Sequence, residues 1–357
     1  MNKQEMNKQE KIDNFNPSGI GVNNGNFIGL PFDEADASVV LLPVPWDVTV
    51  SFTDGTATGA QNILDCSAQL DLYDVDVKNA WQLGIFMRPL DEDWLNASQQ
   101  NRVFAKTYID FLENGGNIND DTDMQLLRDK VNSACDELRT WVKSETTALM
   151  NQGKMVGLVG GDHSTPLGYL QALAERHGEF GILHFDAHQD LRKAYEGFEY
   201  SHASIFYNAL KIEEVTRLVQ IGIRDNCQAE VDLVEQSGGK VAVFYDAYLK
   251  KEMYKKEASM HSIYLNAIEI LPRKVYISFD IDSLNPSLCP NTGTPVPGGL
   301  EYHEALYIIK LLVDSGRQII GFDLSEVAGI GHEWDGNVGA RILYKLCNFM
   351  GRSNQLI

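Results

Sequence analysis

Gly181-Ile-Leu-His-Phe-Asp-Ala-His-Gln-Asp190 starts as an apolar stretch and ends in acidic and imidazole side chains. The apolar beginning predicts a buried strand, and Asp186, His188 and Asp190 follow it at intervals of two residues. In an extended chain, side chains two residues apart point to the same side, so these three can converge. The stretch therefore predicts a strand that carries a polar site at its carboxyl end.

Two further segments repeat this design. Met155-Val-Gly-Leu-Val-Gly-Gly-Asp-His-Ser164 predicts a strand that leads to His163, and Lys274-Val-Tyr-Ile-Ser-Phe-Asp-Ile-Asp282 predicts one that ends at Asp280 and Asp282. Open α/β sheets keep their sites at the carboxyl ends of strands, so all six side chains are expected to meet. The alternative is three unrelated strand ends, which we disfavour because buried carboxylates without cations would repel one another.

Composition limits the class of protein. The chain has 357 residues, of which 44% are hydrophobic, so a single large core is feasible. A formal net charge of -20 argues against partners such as nucleic acid or anionic membranes. The charge suits attraction of cations, but solubility alone explains it equally well.

The cysteines and the N-terminus predict where the protein works. Five cysteines are scattered without a CxxC pair, which argues for a reducing compartment and against disulfides or structural zinc. Residues 1–16 are polar and lack the apolar core of a signal peptide, and no later stretch has the apolar length of a membrane span. The sequence therefore predicts a cytoplasmic location.

The organisation predicted along the chain is one domain. Residues 1–36 are interpreted as a polar, partly disordered arm, and residues 37–357 as a single α/β domain. An insertion near 77–120 carries aromatic residues that belong either to the core or to a cover over the pocket. Repeated βα units predict a mostly parallel sheet of about eight strands with helices on both faces. The predicted strands are 37–46, 155–161, 182–187, 217–223, 240–245, 274–282 and 319–324; the predicted helices are 60–67, 123–150, 166–176, 203–210, 228–237, 250–268, 301–314 and 337–350.

The six clustered side chains predict a metal site. Carboxylate and imidazole are hard to intermediate ligands that suit Mn²⁺, Ni²⁺, Fe²⁺ or Zn²⁺ better than metals that prefer thiolate. Charge balance favours two ions, because four carboxylates carry four negative charges and two divalent ions carry four positive ones. Two ions about 3.5–4 Å apart can share a bridging water and lower its pKa towards neutrality.

Three motifs carry a family resemblance. Gly160-Gly-Asp-His-Ser164, Asp186-Ala-His-Gln-Asp190 and Ser278-Phe-Asp-Ile-Asp282 resemble the signatures of the ureohydrolases, in order and within roughly residues 38–350. That family includes arginase, agmatinase, guanidinobutyrase, formimidoylglutamase and guanidine hydrolase. The resemblance implies an arginase-like, three-layer α/β/α fold, a trimer or hexamer, and a centre of two divalent ions, usually manganese and sometimes nickel.

The resemblance also implies a ligand set. One ion would be held by His163, Asp186, Asp190 and Asp280; the other would be held by Asp186, His188, Asp280 and Asp282, with Asp186 and Asp280 as bridges. The family usually has Asp-Pro shortly after the last of these motifs, where this chain has Asn285-Pro286. That position is not a ligand in the family pattern, so we expect only a hydrogen bond outside the metal centre to change.

Two more positions follow the family pattern. His202, in Tyr200-Ser-His-Ala-Ser204, matches the histidine that moves protons near the leaving amine. Glu326, in Phe322-Asp-Leu-Ser-Glu-Val327, matches the carboxylate that pairs with the substrate guanidinium. The chemistry agrees, since a planar cation suits a bidentate carboxylate and a leaving amine needs a proton. The alternatives are a cap or surface histidine and a structural ion pair.

The substrate is less determined by the sequence. Arginase is disfavoured for two reasons. Arg192 stands where that enzyme has an asparagine for the substrate carboxylate. Cys227, in the region where that enzyme binds the substrate α-amino group, is a poor partner for an α-ammonium group. An arginine at the position of Arg192 resembles the pattern of formimidoylglutamase, in which it could bind a glutamate-type carboxylate. The sequence of residues 200–206 instead resembles agmatinase and guanidine hydrolase. The sequence favours agmatine or free guanidine, then formimidoylglutamate. An arginase, a deacetylase-like enzyme and a metal-binding pseudoenzyme are less favoured.

Overall fold

The central sheet is formed by strands that are buried on both faces. The computed structural model describes residues 6–255 and 259–357. The strands are β1 (Val39–Pro43), β2 (Ile85–Met87), β3 (Met155–Val159), β4 (Phe180–Phe185), β5 (Val215–Ile221), β6 (Val241–Phe244), β7 (Lys274–Asp280) and β8 (Gln318–Ser325). Their order is β2-β1-β3-β8-β7-β4-β5-β6, and every pairing is parallel. The predicted parallel sheet of eight strands is confirmed.

The helices of the described chain cover both faces of this sheet. They are α1 (Lys8–Asn14), α2 (Gly59–Ser67), α3 (Glu92–Glu113), α4 (Thr122–Asn151), α5 (Leu167–His177), α6 (Ile205–Ala209), α7 (Gln228–Gln236), α8 (Asp246–Lys255), α9 (Met260–Glu269), α10 (Tyr302–Asp314) and α11 (Glu333–Ser353). None of these described helices has the length and apolar character required to cross a membrane. The single predicted helix at 250–268 corresponds to α8 and α9, and its middle falls outside the described residues.

Alternation along β4 produces a core on each face. Leu183 and Phe185 pack into the apolar cluster beneath α2, α9, α10 and α11. Ile182 packs into the opposite cluster, beneath α3, α4, α5 and α6. Because neighbouring side chains of a strand point to opposite faces, a strand covered on both sides is apolar throughout. The result is the three-layer α/β/α architecture.

Residues 77–120, the predicted insertion, contribute a strand and a helix to the fold. They contain the short edge strand β2, which pairs with β1, and α3, which packs beside α4. Trp94, on α3, lies 5.9 Å from Trp46 and 5.3 Å from Trp141 between ring centroids. Their aromatic residues therefore belong largely to the core. The sequence did not predict β2 because three residues are too few to show a strand period.

The N-terminal arm also packs on the domain. Residues 1–5 of the predicted arm lie outside the described residues. From Lys8 the chain forms α1, whose N-terminus is closed by a capping box that begins at Asn7. Phe15 contacts Trp81 with ring centroids 5.2 Å apart, and Phe27 is fully buried. Residues 8–36 thus contribute a short helix and core side chains, joined by irregular segments.

Candidate metal centre and substrate cavity

The site lies at the carboxyl end of the four central strands. In the sheet order β3, β8, β7 and β4 are consecutive neighbours. Phe185 pairs with Phe279, and Asp280 pairs with Ser325. Because parallel strands in register end at the same edge, the residues that follow each strand are brought together. This is how motifs that are more than 90 residues apart in the chain meet.

His163 lies at the centre of three of the predicted ligands. Its Nδ1 is 3.0 Å from Asp186 Oδ2, 3.0 Å from Asp190 Oδ2 and 3.3 Å from Asp280 Oδ2. Its other nitrogen, Nε2, is 2.9 Å from Ser278 Oγ. One ring nitrogen therefore faces the carboxylates while a hydroxyl group fixes the other.

The second group of predicted ligands adjoins the first. His188 Nδ1 is 3.1 Å from Asp282 Oδ2 and 3.4 Å from Asp186 Oδ1. Asp186 consequently lies near both histidines, with one oxygen towards each. Its bridging role stays a prediction. The structure brings together all six side chains that the sequence predicted to converge.

Electrostatics support a cationic occupant of this cluster. Among the described residues, no Lys or Arg pairs with the four carboxylates, whose ionic partners are histidines. Burial, followed by the negative charges of Asp282 and Asp186, raises the pKa of Asp280 well above its usual value. Burial and the charge of Asp186 raise the pKa of Asp190 to about 7. These oxygen and nitrogen donors fit divalent metal ions, which would favour the ionised carboxylates.

We expect the melting temperature of the metal-free protein to fall between pH 6.5 and 8. The raised pKa values of Asp190 and Asp280 mean that ionisation of these groups destabilises the folded state as pH rises. Burial opposes the positive charge of His163 and His188, but contacts with carboxylates outweigh it and raise the pKa of both rings. Their protonated forms therefore stabilise the folded state, and this stabilisation is also lost as pH rises.

Thermal melts with and without bound Mn²⁺ test this prediction, because bound ions should reduce the fall. Glu196 is the control, since burial raises its pKa to about 7 outside the cluster. Glu196→Gln removes that contribution in both samples and should leave the difference between them. Parallel pH curves for loaded and chelated protein would contradict the prediction.

Glu326 lies beside the metal cluster with one free oxygen. Its Oε1 accepts a hydrogen bond from the backbone N–H of His163 at 3.0 Å. Its buried Oε2 has no hydrogen-bond partner among the described residues. Burial and the charge of Asp162 raise the pKa of Glu326 well above its usual value. The backbone of Glu326 has a φ of 63°, and Thr292 Oγ1 donates to its carbonyl at 2.7 Å. A strained, buried carboxylate of this kind is typical of a binding site.

His202 lies at the edge of the same site. It follows Ser201 at the start of the turn that leads into α6, and Thr49 Oγ1 is 3.5 Å from its Nδ1. No described hydrogen bond or ion pair joins His202 to the six clustered side chains. Burial, with the charges of His188 and His163, lowers the pKa of His202 to about 3, so the ring is neutral at pH 7. The role of His202 in moving a proton stays a prediction.

A cavity of about 160 Å³ opens next to these residues. Its lining includes His188, Asp190, Arg192, Tyr195, His202 and Asp225. The Arg192 guanidinium stacks over Tyr195 at 4.6 Å, and its Nε is 4.0 Å from Glu230 Oε2. A larger cleft of about 990 Å³, beside Arg88 and Trp141, contains none of the predicted site residues. The predicted site residues in its lining therefore make the smaller cavity the candidate substrate site.

Asn285 does not touch the cluster. Its side-chain oxygen accepts a hydrogen bond from the Ser287 N–H at 3.0 Å, and its own N–H donates to the Leu300 carbonyl. The asparagine thus stabilises its own loop. The expected change in a hydrogen bond outside the metal centre stays a prediction.

His184 is the buried residue at this site that the sequence interpretation missed. It lies on β4 with no exposed surface, and its Nε2 is 2.8 Å from Asp186 Oδ2. The signal was present, because His184 continues the two-residue spacing of Asp186, His188 and Asp190 one step upstream. It was hidden inside the apolar run that predicts the strand.

Comparisons with known proteins give a matching family and several similar chains. The sequence model of the arginase family matches residues 37–347. An N(1)-aminopropylagmatine ureohydrolase from Thermus thermophilus is 30% identical over 321 residues, which cover 90% of this chain and 92% of the relative. An agmatinase from Neisseria meningitidis is 31% identical over 314 residues, which cover 86% of this chain and 85% of the relative.

Solved structures share the fold. The proclavaminate amidinohydrolase of Streptomyces clavuligerus superposes with a TM-score of 0.70 and 23% identity, over 94% of this chain and all of that one (100%). The agmatine ureohydrolase of Thermoplasma volcanium has a TM-score of 0.67 and 22% identity, over 91% of this chain and 94% of that one. At these identities the superpositions establish the architecture alone.

Proposed function

Because the chain belongs to the arginase family, we propose that it is a two-metal hydrolase that cleaves a C–N bond of a small guanidino compound. The products would be urea and an amine or ammonia. The observation that carries the proposal is the buried Glu326 Oε2, which has no described partner and lies beside six converging metal-binding side chains. The relatives named as an aminopropylagmatine ureohydrolase and an agmatinase support the same reaction class.

The proposed ligand set follows the family resemblance. His163, Asp186, Asp190 and Asp280 would hold one ion, and Asp186, His188, Asp280 and Asp282 would hold the other. When bound, two divalent ions supply charge compensation for the carboxylates and a water activated at neutral pH. Manganese is the proposed metal, with nickel as the alternative, from the family resemblance; a donor set of carboxylates and imidazoles suits both ions.

Glu326 and His202 have separate proposed roles. Glu326 would pair with the planar guanidinium and fix its orientation, because a carboxylate can accept two parallel N–H bonds from that group. His202 would take up the proton that the attacking water loses and pass it to the leaving nitrogen as the C–N bond breaks. Since Thr49 lies next to Nδ1, Nε2 is the nitrogen proposed to move the proton.

His202→Asn is expected to lower kcat by about 10²–10⁴-fold, which is the usual contribution of a positioned acid or base. Metal content should stay at two ions per chain, because no described contact joins His202 to the proposed ligands. Steady-state kinetics and elemental analysis of the same preparation test both statements. Loss of an ion from this variant would instead place His202 among the ligands.

The size of the cavity favours a small substrate. Its volume of about 160 Å³ lies below the range of about 300–1,000 Å³ that is usual for ligand pockets. Agmatine and free guanidine are therefore the proposed substrates. Formimidoylglutamate is the second candidate, because Arg192 lines the cavity and could pair with a carboxylate.

A substrate panel tests the proposed function. Protein loaded with Mn²⁺ or Ni²⁺ would be incubated with guanidine, agmatine, aminopropylagmatine, arginine and formimidoylglutamate, while urea, ammonia and formamide are measured. Urea release from guanidine or agmatine is the expected result. Formamide release would favour the second candidate, and deacetylation without urea or ammonia would refute both.

The proposal extends to the oligomeric state and the cellular location of the protein. A homo-oligomer, either a trimer or a hexamer, is proposed from the family resemblance. A cytoplasmic location is supported by five cysteines that are all free in the structure, four of them buried. The proposed partners are small guanidino or formimino molecules, with no role for nucleic acid or membranes.

A further inference from the structure

We propose that His184 is a positioning residue that holds the bridging carboxylate Asp186 from outside the metal centre. It would donate one hydrogen bond and bind no ion. This inference rests on the proposed two-metal centre. It concerns a residue outside the ligand set inferred from the sequence, and the contacts around the imidazole ring determine its role.

The ring of His184 is hydrogen-bonded at both nitrogens. Nε2 lies 2.8 Å from Asp186 Oδ2, and Nδ1 lies 3.0 Å from Nε2 of Gln220. Both His184 and Gln220 are fully buried, so these contacts are shielded from water.

The amide of Gln220 sets the tautomer. Its Nε2 is 2.7 Å from the Gln189 carbonyl oxygen, a contact that only the N–H₂ end of the amide can make favourably. The same N–H₂ group therefore donates to His184 Nδ1, which must be unprotonated. A neutral imidazole then carries its single proton on Nε2, where it donates to Asp186.

A role as metal ligand is the alternative. One ring nitrogen of His184, one of His163 and one oxygen of Asp186 lie within 4.8 Å of one another, close enough for a shared ion. Two observations argue against it. Both nitrogens of His184 already have hydrogen-bond partners, whereas Nδ1 of His163 faces three carboxylate oxygens. In addition, Phe206 packs against the His184 ring with centroids 4.0 Å apart and limits its rotation.

The consequence is a carboxylate oriented before any ion binds. Asp186 Oδ2 receives the His184 N–H, and Oδ1 receives the backbone N–H of His188 at 2.6 Å. A carboxylate oxygen has two lone pairs, so each oxygen could accept one of these hydrogen bonds and still bind an ion. Hydrogen bonds of this kind, to the residues that bind a metal, typically contribute about 10–100-fold to metal affinity or activity.

His184→Gln and His184→Met form the matched test. The two side chains have similar length, but only glutamine can donate a hydrogen bond towards Asp186. Competition with a fluorescent chelator would give the Mn²⁺ affinity of each variant, and kcat would be measured on fully loaded protein. We expect His184→Met to bind Mn²⁺ about 10–100-fold more weakly than His184→Gln, with two ions still bound at saturation. Equal affinities, or one ion lost at saturation, would overturn the proposal.

Two measurements make the outcome unambiguous. Far-UV circular dichroism of the metal-free variants shows whether they fold, and if His184→Met does not, a crystal structure of the Mn²⁺-loaded wild type decides. The expected structure keeps His184 Nε2 hydrogen-bonded to Asp186, and an ion bonded to that nitrogen would refute the proposal. If the wild type binds fewer than two ions, it is the proposed centre that fails.

Discussion

Replacing Asp186 or Asp280 with alanine is expected to abolish most activity and to release much of the bound metal. Asp186 is fully buried and Asp280 is 3% exposed, and the ionic partners described for both are histidines of the cluster. If each carboxylate bridges two ions, its loss leaves both ions with an incomplete shell. Removing one partner of a buried ion pair costs on the order of 3–5 kcal/mol. That corresponds to a fall in kcat/KM of roughly 10²–10⁴-fold.

Elemental analysis and kinetics of the same samples test this expectation. Asp225→Asn is the matched control for metal content, because that carboxylate lines the cavity and is exposed but is not a proposed ligand. It should retain two ions per chain. Two ions retained in both alanine variants would remove the bridging assignment, although other hydrolytic mechanisms would remain open.

Glu326→Gln should act on the substrate and not on the metal. The glutamine keeps the shape and can still accept the His163 N–H, which Glu326 Oε1 now accepts at 3.0 Å. It places an N–H₂ group where the free, buried Oε2 stands, so it would present donors to a guanidinium that also carries only donors. Losing a buried charged pair costs on the order of 3–5 kcal/mol, and kcat/KM should fall by roughly 10²–10⁴-fold.

The control for this prediction is Glu199→Gln, which makes the same chemical change at an exposed position on the loop before His202. Its kinetics should match the wild type. Metal content should remain at two ions in both variants, because Glu326 is not a proposed ligand. Near-normal kcat/KM for Glu326→Gln would assign the guanidinium contact to another residue.

Much of the fold followed from local patterns. Long apolar runs such as 182–187 and 274–282 correspond to β4 and β7, because strands covered on both faces are apolar throughout. Elements with weak local signals were missed. The edge strand β2 has three residues, and α3 was overlooked between aromatic residues that were interpreted as a possible cover. Packing against β1 and α4 determines both elements, and such packing is not a local property of the sequence.

For the site, the spacing of the side chains and the strand ends that carry them are local features, so the sequence predicts which side chains could meet. How they meet depends on the packing of the folded chain. The adjacency of β3, β8, β7 and β4 brings Glu326 beside His163, and the neighbouring strand β5 brings Gln220 to His184. Burial then lowers the pKa of His202 to about 3 and raises that of Asp190 to about 7. Such shifts depend on removing water and on charges from distant parts of the chain, so they arise only when the chain has folded.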